Sequence, residues 1–530
     1  MGECAIEPEL TPLAERLFSA FYRSLIVFVV MAFDIFGIRS GTDQLSRDGF
    51  LKLLAPMHCD DARRDIVVVL FRDQDIASKD ALSRLFSESE RPSTSWPLTF
   101  DDHALMLEYL EDAQPLAVFI DLLMVSDNNG DPGLHRFLSV VERTVRDRRM
   151  LLAYATVPAS DRQPVDPPIL ASLIATGVPT VMVGWAGADG TYPLWVDTVS
   201  GTPMMQPADV GADAKATAAN FLYAIHQNEL AGRTLRPPRP EHLVSGPPMR
   251  LVWGYQPAND YVQAGSRCPS WAARMAQSLT LFAHGFSLRD ANDVAWTQPQ
   301  QRFYIDTISA RDMVDWAENG VLSDRLKNKI VLVGAALDGI PDVVQSPVNG
   351  MTPGVLFHAM ALENLIAMDE GYYRDAPAIA GSDLYDLDEI TEFLFIVCGY
   401  FVIALLRDGA AFQRITSLVG RARKLFVYFV TLNAIALLFT VFNLMFFHVA
   451  PSNWIAIATV SLFAVAPDEG VVARQFGCLR PFHRWLVVGL LILAVASLMI
   501  GARASSLQFI GAALVVGMYT FWRAERYRSK

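Results

Sequence analysis

The chain has 530 residues, of which 52% are hydrophobic and only 19% charged, below the charged share of about 25% usual for globular domains. Those values exclude an intrinsically disordered chain, and a formal net charge of −12 argues against nucleic acid as its partner. The charge is uneven: the chain is acidic before Glu389 and carries a basic excess after it.

The first predicted element is an apolar helix over 17–38, with Arg23 near its start and Asp34 near its end. Crossing ~30 Å of hydrocarbon takes about 20 helical residues. The run reaches that length if Arg23 snorkels toward one surface and Asp34 sits at the other. No small-residue cleavage pattern follows it, so an uncleaved anchor is expected, with 1–16 cytoplasmic.

Residues 39–390 predict an extracytoplasmic α/β domain. Short runs rich in β-branched residues recur at 65–71, 116–121, 150–156, 180–185, 303–307 and 329–335. Their nearly continuous apolarity suits strands buried on both faces. Helical spacing of apolar residues appears between them at 104–113 and 135–147. The alternation predicts a mostly parallel, doubly wound sheet. The Pro- and Gly-rich stretch 232–250 reads as a loop.

Further apolar runs occupy roughly 391–406, 425–449, 452–466, 485–500 and 507–522. Arg and Lys concentrate in 407–424, 467–484 and the tail 523–530. The positive-inside rule would place those three segments in the cytoplasm. The expectation is therefore six membrane spans in total: the anchor, and a five-helix transmembrane bundle over 391–522.

Two stretches carry a family resemblance. One is Trp96-Pro97 followed by a helical segment and the strand ending at Asp121. The other is 326–366, with Val333-Gly334, Asp342, Pro347, Pro353-Gly354-Val355 and His358-Ala359. Together they make about 40–380 resemble the CHASE2 domain, an extracytoplasmic sensory module of bacterial adenylate cyclases, histidine kinases and serine/threonine kinases. The resemblance implies a sensor, normally joined to a cytoplasmic enzyme through fewer C-terminal spans than are counted here. Only Arg523 to Lys530 follow the last run, so the family's usual output is not carried over.

Open α/β sheets take ligands at the carboxyl ends of their strands. That rule singles out Asp121 and the turn from Gly334 to Asp342, although an Asp at such a place also serves as a turn or helix cap. His358, near a helix start, reads either as a satisfied structural histidine or as a ligand contact. No second His or Cys stands at metal-ligand spacing beside it. Phosphate-loop, zinc-hydrolase and nucleophile-elbow motifs are missing, as is any C-x-x-C. The stretch GWAGADG at 184–190 reads as a turn. Neither enzymatic activity nor a cofactor or metal is expected.

Of the five cysteines, only Cys59 and Cys268 fall in the expected oxidising compartment, which suggests a disulfide between them; two distant free thiols are the alternative. The function expected is a multi-pass inner-membrane sensor, bathed in membrane lipid, that binds an unknown extracytoplasmic ligand. It would relay the signal through its bundle to a cytoplasmic or membrane signalling partner in trans, with homo-oligomerisation possible. The other reading is a structural or channel-type membrane component regulated by the outside domain.

Overall fold

The structure is a computed structural model, and it describes residues 21, 38–73, 75, 96–124, 133–158, 168–185, 190–204, 214–232, 236–255, 268–285, 303–337, 342–375, 387–407 and 418–448. The chain divides into two compact units: residues 49–375, and residues 1–48 with 376–530.

After α1 (Ile38–Leu54), the 49–375 unit is built on a parallel sheet of six strands: β1 (Ile66–Arg72), β2 (Ala117–Ile120), β3 (Leu151–Thr156), β4 (Thr180–Met182), β10 (Asp306–Ser309) and β11 (Ile330–Ala336). Their order is β10-β1-β11-β2-β3-β4, so β11 is inserted between β1 and β2. Registers such as Val69 opposite Val333, and Val333 opposite Ile120, put the carboxyl ends of β1, β11 and β2 side by side. The central strands are buried on both faces, which is why they read as continuous apolar runs. Ile66, Val68 and Leu70 enter one core layer; Val67, Val69 and Phe71 enter the other.

One layer is covered by α2 (Phe100–Ala113), α3 (Gly133–Asp147), α4 (Pro168–Ala175), α7 (Ala310–Glu318) and α8 (Leu322–Leu326). α2 starts in a capping box: Thr99 accepts from the Asp102 N–H, and Asp102 accepts from the Thr99 N–H. It meets α3 through stacked Phe100 and Phe137, 5.5 Å apart. Buried Glu111 is satisfied across the same seam by Arg143 at 3.0 Å and by the Thr144 hydroxyl.

The other layer is covered by α5 (Ala218–Leu230) and α9 (Gly354–Met368). From Gly354 to Leu365 every residue of α9 is buried, as a helix enclosed on all sides requires. Two buried asparagines fasten loops to these helices. Asn220 bonds both backbone groups of Val244, and Asn364 bonds both of Val252. A side-chain amide carries the same donor and acceptor as a peptide, so each asparagine completes a ladder where no strand is available. The smaller β elements are the pair β5 (Thr191–Tyr192) and β9 (Met249–Arg250), the sheet β7-β6-β8 (Pro203–Met204, Trp195–Asp197, Ala214–Ala216), and the hairpin of β12 (Val343–Ser346) and β13 (Gly350–Pro353). Helix α6 (Trp271–Gly285) is tied to the region after α1 by a disulfide between Cys59 and Cys268, Cα–Cα 5.8 Å.

In the other unit, α10 (Leu387–Arg407) packs on α11 (Leu418–Phe447) through Phe395, Ile396, Tyr400, Tyr428, Leu432 and Ala436. Phe395 and Phe439 lie 5.8 Å apart, and the Asn443 amide donates to Thr391 at 2.9 Å.

The expected six-span bundle is corrected here: no helix among the described residues is long and apolar enough to cross a membrane. In α10, Asp388, Glu389 and Glu392 occupy the start and Arg407 the end. The uncharged part, Phe393 to Leu406, measures about 21 Å at ~1.5 Å per residue, short of ~30 Å. In α11, Arg421, Arg423 and Lys424 take the first turns, and Thr431, Asn433, Thr440 and Asn443 interrupt the apolar run. The predicted runs 452–466, 485–500 and 507–522, and nearly all of 17–38, lie outside the described residues. The α/β part of the expected fold, a mostly parallel sheet, stands. The multi-pass inner-membrane placement, the relay through a membrane bundle and the channel-type alternative lose their basis.

Candidate functional site

The candidate site lies where the carboxyl ends of β2 and β11 meet the amino end of α9. Asp121 directly follows β2, and its N–H donates to the Val333 carbonyl of β11 at 2.8 Å. By strand alternation its side chain shares the face of Phe119, which is the face covered by α9. That side chain is only 7% exposed, and His358 Nε2 lies 3.8 Å from it, beyond hydrogen-bond range.

His358 lies one turn into α9. Its Nδ1 is 2.8 Å from the Tyr192 hydroxyl, which accepts from the Ala219 N–H at 3.1 Å. With its acceptor side used by Ala219, the hydroxyl donates to Nδ1. The proton of the neutral ring is thereby assigned to Nε2, the nitrogen facing Asp121. Burial pushes the pKa of His358 down to about 3, so the ring stays neutral.

Asp342 is placed by the hairpin before α9. Pairing of Val343 with Pro353 sets Asp342 opposite Gly354, whose N–H donates to the Asp342 carbonyl at 3.1 Å. A Cβ on Gly354 would lie 2.2 Å from Asp342 Oδ1, so the Pro353-Gly354 step is what allows the carboxyl to close over the helix start. The residue as a whole is exposed, but enclosure of its carboxyl tip pushes its pKa up. Asp121 is raised well above the usual carboxylate range, first by burial and then by the charge of Asp342. The two carboxyls therefore resist ionising together.

Gly334 does a different job. A Cβ there would fall 2.5 Å from Val355 Cβ, so glycine is what lets β11 and α9 touch. Gly334→Ala is expected to lower stability by about 1–3 kcal/mol through overpacking. Denaturant unfolding measures it, and an unchanged midpoint would show that α9 can simply shift away.

The walls around His358 are aromatic. Trp185, just past β4, lies 5.2 Å from Tyr192, 6.0 Å from Phe357 and 6.3 Å from His358, ring centre to ring centre. Phe119 meets the His358 ring edge-on at 5.9 Å. The indole N–H of Trp185 is buried with no acceptor among the described residues. Sequence reasoning reached Asp121, Asp342 and His358, which the fold gathers, but missed Tyr192 and Trp185. Their one local signal is the density of aromatics in 185–195, where the glycines of 184–190 invite a reading as a turn alone.

A second buried polar centre sits farther along α9. Glu363, fully buried, meets His58 Nε2 at 2.7 Å and accepts from the Tyr304 hydroxyl at 3.2 Å and the Asn364 amide at 3.1 Å. Asp60 donates its N–H to the same tyrosine, and Arg63 stacks over its ring at 5.0 Å. Among the described residues, no group of three or more His, Cys, Asp or Glu is placed to hold a metal ion.

The family model of the CHASE2 domain matches residues 25–402. No curated protein and no solved structure matches the chain. The matched segment takes in the whole six-stranded sheet, α9 and the strand-end crevice. It also spans well over half of the sequence, and the chain belongs to the CHASE2 family of sensory domains.

Proposed function

We propose that this sensory domain receives its signal as a small ligand in the crevice formed by Asp121, Asp342 and His358. The observation that carries the reading is Asp121: a carboxyl almost removed from water, without a hydrogen bond from any described residue, and raised by the charge of a second carboxyl. Burying such a group is costly. Residues that lower stability without a packing purpose concentrate at sites selected for function.

The expected result is that Asp121→Asn stabilises the chain at pH 7.5 by about 1–2 kcal/mol. The sign follows from linkage. A carboxyl raised in the folded state holds its proton more tightly there than in the unfolded chain. Its contribution is most favourable below the unfolded pKa and is lost as pH rises through the folded value. The gain from asparagine should therefore shrink as pH falls toward 4. Thermal unfolding of both proteins across this range measures it. A variant less stable than the parent at every pH would make Asp121 a structural residue. A thermal-shift screen of small molecules on the full chain, with Asp121→Asn as control, tests the binding itself.

A further inference from the structure

We infer that the ligand of this crevice presents a protonated amine to Asp121 and Asp342. The inference rests on reading the crevice as the sensing site, and adds the class of molecule. Three observations carry it. The Asp121 side chain is 7% exposed and accepts no hydrogen bond from the described residues, so it offers an acceptor to a donor. Asp342, at the exposed side, adds its charge to that of Asp121, and among the described residues no Arg or Lys forms an ion pair with either carboxyl. The nearest basic group, His358, is held as a neutral ring by Tyr192 and by its burial.

An ammonium group supplies both missing elements: positive charge and several N–H donors on one atom. A divalent cation fits less well, because it needs more ligands than these residues provide and no metal-holding group forms among the described residues. An anion would add negative charge beside two carboxyls that already repel each other. The rings of Trp185, Phe357 and Phe119 around His358 offer apolar walls to the remainder of the ligand. The indole N–H of Trp185, buried without an acceptor among the described residues, offers a donor to an oxygen on it. An ammonium beside them favours the ionised carboxyls, so binding draws both pKa values back down, which is read as proton release.

The test is calorimetry on the full chain at pH 7.5, in two buffers of different ionisation enthalpy. The probes are n-butylamine, ethanolamine, 1-butanol, butyrate and magnesium chloride. The expected result is that the amines bind roughly tenfold or more tightly than 1-butanol, with proton release. Asp121→Asn and Asp342→Asn should each weaken amine binding by a similar factor; Asp342 is exposed, so its variant keeps the fold even if the Asp121 variant does not. Preferential binding of 1-butanol, butyrate or magnesium that Asp121→Asn abolishes would overturn the amine while leaving the site. No amine binding at millimolar concentration, or amine binding indifferent to both substitutions, would overturn the inference; if no probe responds to either substitution, the reading of the crevice as the sensing site falls with it.

Discussion

Replacing Cys59 and Cys268 together by serine is expected to remove up to about 5 kcal/mol of stability. The bridge joins residues 209 positions apart, and a loop of that length restricts the unfolded chain strongly. The loss should not be uniform. Helix α6 contributes little to the core: Trp271 is 62% and Leu279 59% exposed, and Ser278 is its one buried residue among those described. Besides the disulfide, a hydrogen bond from Arg274 to the Met57 carbonyl at 3.1 Å holds its start. On reduction, amide hydrogens of 271–285 should lose protection first, while those of β1 and β11 exchange only with global unfolding. Urea unfolding with and without reductant gives the global figure, and hydrogen exchange gives the order. Equal protection of α6 in the oxidised and reduced chain would mean that non-covalent contacts hold it.

How far the sequence could be read depended on how local each signal was. β1, β2, β3 and β11 are visible because strands covered on both faces need every residue apolar. β10 is less so. The run 303–307 suggested a strand, but pairing covers Asp306 to Ser309, because Tyr304 ahead of it turns to reach Glu363 instead. Asp121, Asp342 and His358 stand out by position: two follow or precede strands at one end of the sheet, and the third opens the helix that covers it. Tyr192 does not, since its partner is 166 positions away and nothing in either neighbourhood names the other. Asn220 and Asn364 are hidden for the same reason. The apolar runs 391–406 and 425–449 misled because hydropathy alone does not distinguish a membrane span from helices that bury faces against each other. The acidic start of α10, and the Asn443–Thr391 bond on its contact with α11, belong to the second case.

His58→Ala is expected to cost about 3–5 kcal/mol, because it leaves the Glu363 carboxylate buried without its ionic partner. Tyr304 and Asn364 remain as donors, but neither carries charge. His58→Gln, which can still donate a hydrogen bond, should cost less. The difference between the parent and His58→Gln should also depend on pH. Burial pulls the pKa of His58 down, but the charge and hydrogen bond of Glu363, with Asp60, outweigh burial and the opposing Arg63, so the net shift is upward. A histidine raised in the folded state stabilises fully below its unfolded pKa, near 6.5. That contribution is lost as pH rises through the folded value. Urea unfolding of parent and variant on the acid and alkaline sides of that window is the measurement. The gap should be widest on the acid side and narrow on the alkaline side. A gap that stays constant would show that His58 acts as a neutral packing group. A substitution to alanine with no loss would show that Glu363 is held by its neutral donors alone. The centre matters beyond its own energy, since Glu363 stands on the same buried stretch of α9, Gly354 to Leu365, as His358. Loss of the His58 contact loosens α9 where it meets the residues around the disulfide, and α9 is the element that carries His358 to Asp121.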